Sequence, residues 1–115
     1  MSRVTGDASA ARRRHHAVVF AALGDETRLS LVTALSGGEA RSIAQLTGGS
    51  RLTRQAISKH LRVLENAGIV HSARSGRESL YEFDAEPMHE LKQYLTRVSE
   101  QWDAALGRLK TLVEG

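Results

Sequence analysis

Apolar residues recur at helical spacing along most of this chain, and one short stretch breaks the rule. Val19, Phe20 and Leu23 fall on one side of a helix expected over Arg12 to Leu23, with Gly24 in the position of a C-cap. Asp25 is placed to cap a second helix running to Leu35, with Glu26 near its positive end and Leu31, Val32 and Leu35 as its apolar face. Ser36-Gly37-Gly38 stops it. Ser42 and Gln45 stand at capping-box spacing, which predicts a short helix to about Gly48. Gly48-Gly49-Ser50 is a turn, and Thr53 caps a longer helix, Arg54 to Asn66, that Gly68 ends. The period then changes. Ile69 to Arg74 and Ser79 to Phe83 are short extended runs around Ser75-Gly76-Arg77-Glu78, the pattern of a β-hairpin.

From Asp84 the helical period returns, and a last helix is expected over about 86–113. Leu91, Leu95, Val98, Trp102, Ala105, Leu109 and Leu112 are spaced alternately by four and three, a heptad seam over three repeats. Residues 1–11 are small and polar without periodicity and read as an unstructured tail, leaving 12–115 as a single domain. The fold class is mainly α with a small β-hairpin and about five helices. Two helices joined by a short glycine-containing turn are a helix-turn-helix unit, with a recognition helix over about 53–67 and a hairpin over about 69–83.

Composition narrows the function. A hydrophobic share of 41% and a charged share of 25% are those of a folded domain. No apolar run reaches the roughly 18 residues of a membrane span, and the apolar stretch after Arg12 to His16 is too short for a secretory signal, so a cytoplasmic chain is expected. The absence of cysteine removes disulfides, thiolate metal sites and cysteine nucleophiles. The glycine pairs match neither phosphate-loop nor dinucleotide fingerprints, and no serine sits in a nucleophile elbow, so no enzymatic activity is expected.

Charge points to a polyanion. Residues 1–77 hold twelve Lys or Arg against five Asp or Glu, whereas residues 78–115 hold four against eight. Thirteen of the sixteen cations are arginine, whose planar fork suits phosphates and guanine edges. The few aromatics argue against binding single strands by base stacking. On a helical wheel of 53–68, Ala56, Ile57, His60, Leu61, Val63 and Leu64 share one arc. Gln55, Ser58, Lys59, Arg62 and Asn66 share the opposite arc, with Arg54 at its edge. The centre of that polar arc has no carboxylate, and Glu65 stands at its far edge. A face with long amide and guanidinium groups suits base edges in a major groove, whereas carboxylates would be repelled by phosphates. In isolation such a face is an ordinary solvated helix surface. Its place after a capped short helix and before a hairpin bearing Arg74 and Arg77 favours duplex DNA. Thr53, Arg54, Gln55, Ser58, Lys59, Arg62, Arg74 and Arg77 are the expected contacts.

The segments ALGDETRLSLVTAL, SIAQLTGGSRLTRQAISKHLRVLENAGIV and SARSGRESLYEF resemble the ArsR/SmtB-type winged helix-turn-helix repressors of bacteria, over about residues 17–100. The resemblance implies a homodimer that binds an inverted-repeat operator and blocks transcription until an effector releases it. It implies that Gln55, Ser58 and their neighbours contact bases and that the hairpin is the wing. Metal-sensing members often carry Cys-Val-Cys on the short helix, where this chain reads Arg41-Ser42-Ile43-Ala44-Gln45-Leu46. A second family site on the last helix aligns with Ala85, Pro87, Val98 and Gln101, none of them a useful ligand. The chain is therefore similar to the cysteine-free branch, whose inducer is often unidentified, and no metal site or cofactor is expected.

The histidines are weighed singly. His15 and His16 read as part of a solvated basic segment, and His60 as a hydrogen-bonded packing residue. His71 is open to a phosphate contact or to simple exposure. His89 with Asp84 and Glu86 makes too sparse a set for a transition metal. The heptad seam packs either within the protomer or against a second copy. Leu91 to Leu112 spans about 33 Å, longer than a small protomer covers, which favours a dimer through Val19, Phe20, Leu91, Leu95, Val98, Trp102, Ala105 and Leu109. The alternatives are a dimeric interaction module that has lost DNA binding, or a metal-responsive repressor with an atypical site.

Overall fold

A computed structural model describes residues 2–114 of the chain. Five helices and three short strands follow in the order α1 (Ser2–Leu23), α2 (Glu26–Leu35), β1 (Arg41–Ser42), α3 (Ile43–Thr47), α4 (Arg54–Asn66), β2 (Val70–Ser75), β3 (Glu78–Phe83) and α5 (Ala85–Glu114). The fold is a winged helix-turn-helix, mainly helical, with α3 and α4 as the helix-turn-helix pair and β2–β3 as the hairpin.

Local chemistry sets the helix starts. Asp25 accepts from the Arg28 amide at 3.0 Å and so caps α2. Ser42 and Gln45 close a reciprocal capping box on α3, at 3.2 and 2.9 Å. The Thr53 hydroxyl accepts from the Ala56 amide at 3.1 Å and caps α4. Before α5, Asp84 Oδ1 accepts from the Glu86 amide at 3.0 Å, and Pro87 falls in the first turn, where its missing N–H costs nothing.

The end of α4 is a Schellman motif. The Gly68 amide donates to the Glu65 carbonyl at 2.9 Å and the Ile69 amide to the Leu64 carbonyl at 3.0 Å. Gly68 takes φ +77°, a conformation that penalises any residue with a Cβ. The Asp84 amide then donates to the Ile69 carbonyl at 2.9 Å, so the residue that closes α4 also anchors the base of the hairpin.

The core sits where α1, α2, α4 and the strands converge. Val19 and Ala22 come from α1, Leu31 and Leu35 from α2, Leu46 from α3, and Ile57, Leu61 and Leu64 from α4. Ala67, Ile69, Val70 and Leu91 complete it. Leu35, Leu61, Leu64, Ile69 and Val70 are wholly enclosed.

Four features differ from the sequence expectations. The first helix begins at Ser2, so the residues read as a tail are helical up to Met1, which lies outside the described residues. Periodicity was absent there, but Ala8, Ala10 and Ala11 supply intrinsic helix propensity without it. Gly24 does not take the left-handed conformation. Instead the Arg28 guanidinium donates through Nε to the Ala22 carbonyl and through Nη2 to the Ala21 carbonyl at 3.4 Å, closing α1 with a cation at its negative end. The hairpin turn is tighter than expected: Ser75 pairs with Glu78, leaving only Gly76 and Arg77 between the strands. Gly76 at φ +61° fits the first central position of a II′ turn. Finally β1 adds a third strand, with Arg41 opposite Tyr81 and Ser42 opposite Leu80, in a sheet of order β1-β3-β2.

A methyl group added at Gly68 would meet nothing within 4 Å, so its cost is purely one of backbone conformation. Gly68→Ala is expected to lower unfolding stability by about 1–2 kcal/mol with an unchanged denaturant slope, measured by urea denaturation.

Candidate nucleic-acid interface

One side of α4 is locked into the core through Ile57, Leu61 and Leu64, which fixes the rotation of the helix and turns the opposite arc outward. Arg54, Gln55, Lys59 and Arg62 are exposed, and Ser58 is half-buried at the edge of their face. Thr53 is exposed at the N-terminus, with its hydroxyl engaged in the cap. Arg74 in β2 and Arg77 in the turn are exposed on the hairpin. Among the described residues no ion pair involves any of these cations.

The sheet brings the hairpin back to the helix-turn-helix unit. Pairing of β1 with β3 sets the start of α3 beside the turn, and Arg54 and Arg77 line one hollow of about 280 Å³ with Ser42, Ile43, Ala44, Glu78 and Ser79. Arg54 and Arg77 are twenty-three positions apart in sequence, and only the sheet makes them neighbours.

Behind the interface, α4 is tied to the α1–α2 junction by polar contacts. Arg28 Nη1 lies 3.1 Å from His60 Nδ1, which accepts in the neutral ring, and Asp25 Oδ2 lies 3.7 Å from the same nitrogen. His60 is thus a half-buried, hydrogen-bonded packing residue. His71 is neither free nor simply exposed: its Nε2 lies 2.8 Å from Asp84 Oδ2, linking β2 to the cap of α5. His89 approaches Gln93 at 3.4 Å, and among the described residues no three His, Asp or Glu side chains gather as metal ligands. His16 departs from the expectation of a solvated basic segment. It is 6% exposed and its ring stacks on Tyr94 at 4.6 Å. Helical spacing puts His16 on the same side as Val19 and Phe20, but nothing local announces its partner on α5.

The residues expected at a dimer surface divide in two. Val19 and Leu91 are 1% and 6% exposed and belong to the protomer's own core, a correction to their placement between copies. Phe20, Leu95, Trp102, Ala105 and Leu109 are exposed, and Val98 is half-buried. Leu106, Leu112 and Val113 extend the exposed apolar set to the end of α5, and Trp102 is 64% exposed.

A capped recognition helix with no carboxylate at the centre of its outer face, flanked by a hairpin bearing Arg74 and Arg77, defines a DNA-binding domain of the winged helix-turn-helix class. The family model for bacterial regulatory proteins of the arsR family matches residues 25–72, which run from the cap of α2 through the recognition helix into β2. The chain is 40% identical over 79 residues to the HTH-type transcriptional regulator YuzN of Bacillus subtilis, covering 64% of this chain and 86% of that one. Among solved structures, an ArsR-like transcriptional regulator from Rhodococcus sp. RHA1 superposes with a TM-score of 0.75 at 36% identity, covering 87% of this chain and 93% of its own. The homodimeric winged helix-turn-helix DNA-binding domain Mb0332 from Mycobacterium bovis shares the fold at 22% identity, with a TM-score of 0.64 over 89% of this chain and 91% of its own. The chain belongs to the ArsR family and is a DNA-binding transcriptional regulator, not an enzyme.

Two carboxyls that hold the frame are shifted downward. The Arg28 amide, with the Arg28 charge behind it, holds Asp25 below the ordinary carboxylate value. The Glu86 amide and then the His71 ring do the same for Asp84. Both groups therefore stabilise the fold above about pH 4, and that contribution is lost as pH falls through their depressed values. Asparagine also caps helices, so Asp25→Asn is expected to leave neutral-pH stability little changed and to flatten the acid-side loss, followed by urea unfolding from about pH 5 to pH 2.

Proposed function

We propose that the chain acts as a homodimeric repressor that occupies an inverted-repeat operator in the cytoplasm, at the nucleoid. The observation that carries this reading is the outward face of α4, fixed by Ile57, Leu61 and Leu64 and lacking any carboxylate at its centre. In it Gln55 and Ser58 read base edges, Arg54, Lys59 and Arg62 read or position on the major groove, and Thr53 sits at the helix start beside the phosphates. Arg74 and Arg77 hold the flanking backbone from the wing. The exposed apolar residues of α5, with Phe20 of α1, are the pairing surface. The homodimeric state of the Mycobacterium bovis relative supports that assignment. Pairing sets two recognition helices about 34 Å apart along one duplex, which calls for a pseudo-palindromic site.

A footprint on the promoter of its own gene identifies the operator, and fluorescence anisotropy across a salt series then tests each role. Gln55→Ala is expected to cost about 1–3 kcal/mol on the operator and to leave random duplex unchanged. An unaltered ratio between the two duplexes removes Gln55 from base reading. Arg77→Ala is expected to weaken binding to every sequence and to reduce the salt slope by about one unit. Binding without salt dependence, by contrast, is the outcome of an interaction module that has lost DNA. Trp102→Glu places a charge in the seam and is expected to shift the protein from dimer to monomer in sedimentation equilibrium, with loss of operator affinity.

A further inference from the structure

A second cationic cluster lies between α1 and α5 and shares no residue with the α4 and wing surface. Arg12, Arg13, His16, Tyr94, Arg97 and Gln101 line a cleft of about 340 Å³, together with Ser9 and Val98. A neighbouring hollow of about 310 Å³ shares Arg12, His16 and Arg97 and adds His15, Glu90 and Gln93. Among the described residues no carboxylate lines the larger cleft, and none of its three arginines enters an ion pair. Three arginines line one cleft, and an anion held among them offsets their like charges.

Two of the lining residues form an aromatic pair. The His16 ring stacks on Tyr94 at an interplanar angle of 27°, and Phe20 meets Tyr94 edge-on at 6.4 Å. His16 is nine-tenths buried and makes no side-chain hydrogen bond among the described residues, yet no buried side-chain nitrogen is sealed off without a partner. Its ring nitrogens therefore keep some contact with solvent, and the residue lines both hollows. A site lined by arginines together with an aromatic pair fits a ligand with a charged head and a planar body.

We infer that this cleft binds a small aromatic anion, a carboxylate or a phosphate ester, with Arg12, Arg13 and Arg97 holding its head and the His16–Tyr94 pair flanking its ring. Binding rests on the packing of α1 against α5 alone. Its consequence rests on the homodimer reading, because Val98 lines the cleft and Phe20 touches Tyr94, and both belong to the proposed pairing surface. Occupancy of the cleft is thereby felt where two copies meet.

The test titrates the full chain, free of DNA, with benzoate and with phenyl phosphate by calorimetry and by amide NMR. Benzamide supplies the same ring without charge, and inorganic phosphate supplies charge without the ring. Saturable binding of at least one aromatic anion, shifts confined to α1 and α5, and binding of benzamide and inorganic phosphate about tenfold weaker or more are expected. The tighter of the two anions identifies the head group. Arg97→Gln, and independently Arg12→Gln, are expected to weaken the anion about tenfold with an unchanged circular dichroism spectrum. Equal binding of benzamide, unchanged affinity in both variants, or no saturation by about 10 mM overturns the proposal. A change in sedimentation of the variants without any anion binding overturns it too, since the arginines then serve the contact between copies. Duplex affinity is read separately, so failure of the operator assignment leaves this result interpretable.

Discussion

The burial of one side of α4 is the constraint on which the molecule depends. Ile57, Leu61 and Leu64 are almost wholly enclosed, and their spacing leaves the helix no freedom to roll about its axis. A polar face on a loosely packed helix presents a blurred set of groups. Here the same three residues that stabilise the domain determine which side chains reach outward. Leu61 sits between Ile57 and Leu64, and the Arg28–His60 contact adds a directional bond to a seam otherwise held by shape alone. The motif that joins α1 to α2 thus acts on the recognition helix from behind, by holding the surface that must not move.

Local rules account for much of what could be read from the chain. Caps at Asp25, Ser42 and Thr53, and the stop at Gly68, each involve residues three to five apart, and each is found where its local chemistry puts it. The outward arc of α4 was equally readable, because a period of 3.6 residues is a property of the segment itself. What sequence could not supply was pairing at long range. The two-residue strand at Arg41–Ser42 has no pattern of its own and exists only because β3 offers it an edge. His71 gives no sign that Asp84, thirteen positions on, will take its imidazole.

The apolar seam of α5 shows a further limit of pattern. Heptad spacing marks which residues avoid water without saying what they will meet instead. Leu91 is taken into the protomer's own core, whereas Leu95, Trp102 and Leu109 remain outside it. Val19 and Phe20 are adjacent in sequence and divide the same way, one facing in and one facing out. His16, flanked by arginines and another histidine, looked like a solvated side chain, and only the approach of Tyr94 from the far end of the chain made it interior.

One consequence follows from Ile69, whose amide closes the recognition helix and whose carbonyl receives the Asp84 amide. Helix and hairpin share this joint, and a glycine turn of only two residues leaves the strands little room to slide. On the proposed reading, the two elements of one protomer grip a duplex as a single lever, unable to open like a jaw. On the same reading, a signal that loosens the protein from its site acts on the spacing or tilt between two such levers. Regulation is then a matter of stance and not of fingers.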